Sequence, residues 1–395
     1  MNDNAYKITD GREYVNREAI NGAYLDLIND AFGFTKNGED FRRLLPKLFG
    51  KNRDAAAETT FAEDVRDGSL VACAGRFPVD FTVCGRKLKA FGIGNVCTLE
   101  KVRGNGLMSA VMTEAVRKMA ADGAALSFLG GSRFRYRRFG FEKCGVSTTF
   151  EIEKKSLDGL IPCLTDDYSL EPLSPDDKVA CEYIVSADPR PYHAERKTAT
   201  VYDTLCSWHS VPYLLKKSGS PAGWAVANGD SYVTEAICPD PADLAPLIAA
   251  VGRTREKIII RAPEYYTELY DLLYSLSSGW HSGGDNCFCI LDYTGVVSAM
   301  LELRSTYRAL ADDTLTLIID GIAGTEAMRI NVSDGTPSVS AVDPAEASRE
   351  GCMRLGHFEA MNLLFSDRSP QIRMPDPAPA SWFPLPLYVG SPDDV

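Results

Sequence analysis

Histidine is scarce in this chain of 395 residues: there are four, His193, His209, His281 and His357, each isolated from the next. No histidine pair has zinc spacing, and the 11 cysteines include no Cys-x-x-Cys pair, so a local zinc site is excluded. Cys287 and Cys289 stand closest, and in a strand that spacing points both thiols to one face. Scattered and odd in number, the cysteines read as buried reduced thiols rather than a disulfide framework. Positive charge is also short. The 42 Lys and Arg against 54 Asp and Glu leave a net charge of −12, which argues against a nucleic-acid surface and favours a cationic small molecule or peptide as partner. No apolar run approaches the roughly 20 residues that span a bilayer. The polar start MNDNAYKITDGREY has no charged segment followed by an apolar one, as a secretion signal would. The expectation is a soluble, cytoplasmic chain with no membrane span and no resident metal.

The chain is too long for one ordinary core, which predicts two or three domains. Its first 150 residues read as α/β, with helices around 16–31 and 39–49 before a run of strands from about 59 to 97. Between VDFTV and LKAFGIGNV, the turn Cys84-Gly85-Arg86 predicts a hairpin. From Gly106 to Met119 the residues Leu107, Met108, Val111, Met112, Ala115, Val116 and Met119 share one helical face, so this helix packs on a sheet. A strand Ala125 to Leu129 follows, then the polar aromatic run RFRYRRFGFE, then a strand near 147–153. Between about 155 and 180 the composition shifts to Asp, Pro and Ser, marking a boundary. The middle third mixes short strands with a helix at 241–252 and the strand KIIIRAP, and has no Gly-rich strand-to-helix loop. A third unit begins near Cys289, and its Asp-Gly turns and alternation predict antiparallel strands. The Pro-rich aromatic tail DPAPASWFPLPLYVGSPDDV reads as extended and packed on the body.

The segment VCTLEKVRGNGLMSAVM has the parts of a pyrophosphate site: a strand ends, the chain turns through Gly104 and Gly106, and a helix opens. N–H groups at a helix start lack intrahelical partners and carry the positive end of the dipole. Glycine permits close approach and positive φ, and Arg103 adds charge-assisted hydrogen bonds. On these residues alone an ordinary strand-turn-helix junction remains the alternative.

The spacing of Arg103-Gly-Asn-Gly-Leu-Met108 resembles the Arg/Gln-x-x-Gly-x-Gly/Ala signature of the GNAT acetyltransferase superfamily. Bulky Met108 at the last position is similar to one branch, the enhanced-intracellular-survival (Eis-like) acetyltransferases. A second motif about 30 residues on, Tyr136-Arg-Arg-Phe-Gly-Phe-Glu142, resembles the Tyr-x-x-Phe-Gly-Tyr/Phe segment of that family. The resemblance implies an α/β (α+β) fold of tandem GNAT-like domains, with mixed sheets flanked by helices, and a sterol-carrier-protein-like domain after them. The boundaries that follow are 1–153 for the acetyl-CoA-binding domain, 154–288 for a degenerate second one, and 289–395 for the third with a tail reaching the active site.

The implied activity is direct transfer of acetyl from acetyl-CoA to an amine in a ternary complex, with an aminoglycoside-like, polyamine or lysine acceptor. Arg103, Gly104, Asn105, Gly106, Leu107, Met108 and Ser109 would hold the cofactor's phosphates, and Val96, Cys97 and Thr98 its pantetheine arm and carbonyl. Tyr136 is the implied general acid, since its ordinary pKa near 10 lies just above a thiol's. In this branch the chain's own C-terminal carboxylate is the base, which points to Val395. Members usually end in an aromatic residue, and this chain ends Asp-Asp-Val, so Asp393 and Asp394 are the alternatives. Family members include homo-oligomers. The competing function is an acyl-CoA or lipid-binding protein with a vestigial transferase site. Tyr192 and His193 read as a Pro-flanked surface turn, with the lining of a substrate pocket as the alternative. Trp208-His209 and Trp280-His281 carry no role, and Arg133, Arg135, Arg137 and Arg138 either steer an anion or form a solvated face.

Overall fold

A computed structural model describes residues 5–51, 53–284, 286–348, 351–372, 374 and 377–395. Its first seven-stranded sheet runs in the order Tyr6–Asp10, Thr59–Asp64, Leu70–Pro78, Ala90–Thr98, Leu126–Leu129, Cys287–Ile290, Glu142–Lys143. Every pair is antiparallel except Ala90–Thr98 with Leu126–Leu129, which run parallel and are paired only from Ala90 to Gly92. The helix Leu107–Ala121 connects those two strands and buries Leu107, Val111, Met112, Ala115, Val116 and Met119 against the sheet, the stripe expected from its i, i+3, i+4 spacing. A separate core holds the helix Arg17–Ala31, with Ile20, Tyr24, Leu25, Leu27 and Ile28 inside. The helix expected over 39–49 is broken into Phe41–Leu44 and Pro46–Phe49, because Pro46 restricts Leu45 and starts a new turn.

The second seven-stranded sheet has the order Tyr168–Pro172, Val211–Lys217, Ser220–Asn228, Tyr232–Ile237, Lys257–Ala262, Ser147–Glu153, Gly279–Gly283. Tyr192–Ala194 leaves this unit to pair with Phe81–Val83, the near arm of the Cys84-Gly85 hairpin. Both turn residues have positive φ, 48° and 80°, which matches the twist of a two-residue hairpin.

The two sheets exchange strands, and this moves the expected boundaries. Ser147–Glu153 lies inside the second sheet, between Lys257–Ala262 and Gly279–Gly283, so 153 does not end the first unit. Cys287–Ile290 lies inside the first sheet, between Leu126–Leu129 and Glu142–Lys143, so 288 does not end the second. All four of its residues are buried, as an unbroken apolar run in a central strand requires. The Asp- and Pro-rich stretch from 155 to 180 is a connection within the second unit rather than a boundary.

The remaining unit has the helix Tyr293–Ser305 and a four-stranded sheet ordered Thr336–Ala341, Thr325–Ser333, Asp313–Asp320, Met353–Gly356. Three strands are antiparallel as expected, and Met353–Gly356 joins in parallel. After the helix His357–Phe365 the tail buries Trp382, Phe383, Leu385, Leu387 and Val389 and ends at Val395 between the first two units. Among the described residues no helix is long and apolar enough to cross a membrane.

Candidate active site

Gly104 and Gly106 stand at φ 89° and 76°, and Gly106 caps the helix Leu107–Ala121. A Cβ at either would meet nothing within 4 Å, so the backbone conformation alone asks for glycine. Among the described residues, the N–H groups of residues 104–109 donate to no main-chain carbonyl, leaving a row of free donors at the positive end of the helix. They border a cleft of about 710 Å³ lined by Ala31, Val96–Thr98, the 102–109 loop, Arg135 and Arg138. Every cofactor residue expected from the sequence except Asn105 lines it. Asn105 instead closes the loop, donating from Nδ2 to the Val102 carbonyl at 3.0 Å. The Thr98 hydroxyl is buried without a partner, a donor left over for a ligand in this cleft. Cys97 is buried, with its sulfur 3.5 Å from that of Cys73, whose thiol burial and Cys97 push well above the ordinary range. That shift keeps the Cys73 thiol protonated.

Beyond Gly92 the Ala90–Thr98 strand parts from its parallel neighbour, and the end of the chain sits over the strand it has left. Gly92 and Gly94 share one face, two residues apart, and Val395 lies on it. A Cβ at Gly94 would stand 3.0 Å from the Val395 carboxyl carbon and 3.3 Å from its oxygen. A Cβ at Gly92 would overlap the Val395 side chain. The Val395 carboxyl group therefore lies against the same strand that carries the cleft-lining Val96, Cys97 and Thr98, over a run of roughly 13 Å from Gly94 to Thr98.

Tyr136 is buried at the end of the short helix Arg133–Tyr136, its ring packed against Gly131. Burial raises its pKa above 10, and neighbouring Arg135 opposes that rise. It is not among the residues that line the cleft, whereas its neighbour Arg135 is. The arginine cluster divides. Arg133 and Arg137 both bind the buried Glu142 carboxylate, Arg137 at 2.9 Å, and outweigh the effect of burial to hold that acid below its usual range. Arg135 and Arg138 remain on the cleft, where they can meet an anion.

Residues 16–144 match the acetyltransferase (GNAT) domain. The chain carries an acetyltransferase domain. On that ground the protein is an enzyme of the N-acetyltransferase class, and the 103–109 loop with its cleft lies within the matched residues. Among curated proteins none matches the chain. Solved structures share its fold along almost the whole length. The GCN5-related N-acetyltransferase of Anabaena variabilis is 16% identical, with 98% of both chains covered and a TM-score of 0.64. That of Kribbella flavida is 17% identical, covering 89% of this chain and 86% of its own at 0.61. Eis1 of Mycobacterium abscessus is 14% identical, covering 89% and 87% at 0.58.

Around the tail of this acetyltransferase the structure gathers residues that sequence reading left without a role. Lys47 donates to the Pro392 carbonyl at 2.7 Å and to that of Asp394, and Trp208 Nε1 donates to the Asp394 carbonyl at 3.2 Å. Burial draws the Lys47 ammonium down to about 8, against the pull of Asp393 and Asp394. Arg196 holds both oxygens of Asp393. Burial would raise that acid, and Arg196 outweighs it to hold it below the usual range. Asp394 accepts the Val395 N–H at 3.0 Å, and burial raises its pKa. Tyr192, expected on a surface turn, is instead buried in the three-stranded sheet, because its ring fills the space beside Phe81 and Tyr265. His209 reaches Glu39 at 3.1 Å, and Trp280 lies against Tyr274 on an edge strand. Among the described residues no cluster of His, Cys, Asp and Glu has the makings of a metal site.

Proposed function

We propose that the protein acetylates an amine with acetyl-CoA held by Arg103–Ser109, using the Val395 carboxylate as general base and Tyr136 as general acid. The observation that carries this reading is the position of the terminal carboxylate over Gly94, on the strand whose far end lines the donor cleft. The free N–H row and the arginines at its rim suit a diphosphate. The thioester carbonyl would rest against the splayed stretch past Gly92, whose edge no longer pairs with Leu126–Leu129. A cavity of about 200 Å³ reaches Val395 beside Phe77, Thr200 and Thr204 and gives the acceptor an approach to the base, with Lys47, Arg53, Arg196 and Lys197 outnumbering Glu195 and Asp393 in its walls. Of the two other carboxylates at the end, Asp393 is committed to Arg196, which leaves Asp394 as the only rival.

The reaction needs no covalent enzyme intermediate. The amine gives its proton to the carboxylate as it attacks the acetyl carbon, and the tetrahedral adduct collapses with loss of the CoA thiolate, which takes a proton from the Tyr136 phenol. Burial raises the phenol's pKa against the pull of Arg135, so that last transfer runs from a weaker acid to a thiolate. We read the acceptor as a cationic amine, aminoglycoside-like, polyamine or lysine, on the net charge of −12. The third unit is read as the sterol-carrier-protein-like domain of an Eis-like chain. The test is thiol release from acetyl-CoA across a panel of amines, with the native chain and with chains lacking Val395 or carrying Asp394→Asn. Turnover that Val395 deletion abolishes and Asp394→Asn spares supports the assignment. Tight CoA or fatty-acyl binding with no turnover on any amine would make this a binding protein instead.

A further inference from the structure

The ending Asp-Asp-Val lacks an aromatic side chain to wedge into a core, yet the terminus is docked. What holds it is ionic. Both Asp393 oxygens accept from Arg196, from Nε at 2.9 Å and from Nη2 at 2.8 Å. The same guanidinium binds both oxygens of Glu235, at 2.8 and 2.7 Å. Glu235 also accepts from Trp224 Nε1 at 2.8 Å and lies 3.5 Å from Arg190, which is itself paired with both oxygens of Asp188. These five side chains are each less than a tenth exposed. Three carboxylates thus alternate with two guanidiniums, and two further cations stand beside the tail: Lys47 from the first unit, and Arg261, which donates to the Val389 carbonyl at 3.2 Å. All members but Lys47 and Asp393 belong to the second unit.

We propose that Arg196 is a positioning residue for acetyl transfer: the second, loop-less unit serves as a clamp that aims the terminal carboxylate by its grip on Asp393, two residues away. The proposal rests on the reading of Val395 as the base. A paired guanidinium fixes a carboxylate in direction as well as distance. Between Asp393 and Val395 the chain has little freedom left, since Lys47 and Trp208 hold the Asp394 carbonyl and Asp394 holds the Val395 N–H. Freeing Asp393 leaves the last residues on Lys47 and Trp208 alone, a grip on main-chain carbonyls that does not set the direction of the carboxylate over Gly94, and the donor cleft is untouched.

The test compares Asp393→Asn, Arg196→Met and Arg196→Lys in the full-length chain. Asp393→Asn changes only the tail and leaves the Arg196–Glu235 pair, so it guards against misfolding in the Arg196 variants. Two readouts are taken: the rate at which a carboxypeptidase releases Val395, and kcat with the acetyl-CoA KM. Asp393→Asn and Arg196→Met are expected to release Val395 at least tenfold faster and to lose at least tenfold in kcat, with the acetyl-CoA KM within about twofold of native. Arg196→Lys, which keeps charge without the fork, is expected to fall between. The double variant is expected to lose no more than either single one. If Val395 stays protected and kcat is native in Asp393→Asn, the clamp is refuted even where deleting Val395 stops turnover. If deletion of Val395 leaves kcat unchanged while the variants still release the tail, the base assignment fails and the clamp stands.

Discussion

At the scale of single residues, two positions decide whether the proposed chemistry stands. Tyr136→Phe removes only the phenolic oxygen from a packed ring, so it is expected to keep the fold and the acetyl-CoA KM and to lower kcat by about 10²–10⁴. Native turnover in that variant would remove the acid role. Gly94→Ala asks the complementary question. Gly94 has no positive φ, so alanine suits its backbone, but the new methyl would crowd the Val395 carboxyl group at 3.0 Å. The carboxyl group then has to give by a few tenths of an ångström, which is expected to lower kcat severalfold, short of the roughly 100-fold of a 1 Å misplacement, with no further loss when Val395 is already deleted. If Gly94→Ala and the deletion multiply instead, the glycine acts by another route. The glycines of FGIGNV were present in the sequence, and alternation even puts them on one face, yet nothing local says what would fill the space. The turn at Gly104 and Gly106 was legible because what it asks for is local, a positive φ at each glycine and free N–H groups at the helix start. Trp208, Lys47 and Arg196 were not, because each acts on a segment about 185 to 350 positions away.

At the scale of elements, helices and strands were readable where their period is long or unbroken. The helices Arg17–Ala31 and Leu107–Ala121 and the strand Ser147–Glu153 fall where periodicity puts them. Partnership was not readable, since alternation in Ser147–Glu153 fixes which face is buried and leaves the neighbouring strand open. A contact between elements gives the third prediction. His357 opens the helix His357–Phe365 and ties the third unit to the first. Its Nε2 lies 2.7 Å from the Gly140 carbonyl, next to the Tyr136–Phe139 turn, and its Nδ1 lies 2.9 Å from the Tyr293 hydroxyl. Donation to Gly140 and acceptance from Tyr293 use both nitrogens of a neutral ring. Burial lowers its pKa below 6.5, more than the Gly140 carbonyl and Glu142 raise it. The unfolded chain then binds a proton that the folded one refuses, so this share of stability is full above 6.5 and drains away as pH falls toward the folded value. The slope is at most about 1.4 kcal/mol per pH unit. His357→Gln, whose amide N–H can still reach Gly140, is expected to flatten the fall in urea midpoint between pH 6.5 and 5. Parallel curves for the two proteins would show that His357 titrates freely.

At the scale of the whole molecule, the exchange of strands turns two sheets into one folding unit. Cys287, Phe288, Cys289 and Ile290 are all buried in the first sheet, although the preceding 130 residues build the second. Burying a large apolar side chain contributes roughly 1.5–3 kcal/mol, so Phe288 and Ile290 alone supply about 3–6 kcal/mol. That is comparable to the whole net stability of a domain, about 5–15 kcal/mol. The second sheet owes a similar debt to Ser147–Glu153, whose Phe150 and Ile152 are fully buried between Lys257–Ala262 and Gly279–Gly283. Neither sheet can lose its borrowed strand and stay intact, so the two are expected to open together. Hydrogen exchange at rising urea tests this directly: amides of Leu126–Leu129 and of Ser147–Glu153 are expected to lose protection along the same isotherm, with one midpoint. Separate midpoints for the two strands would mean that the units unfold independently. Joint opening also bears on the clamp, because Arg196 and Glu235 can aim the chain terminus at Gly94 only if the unit that carries them is fixed to the unit that carries the donor cleft.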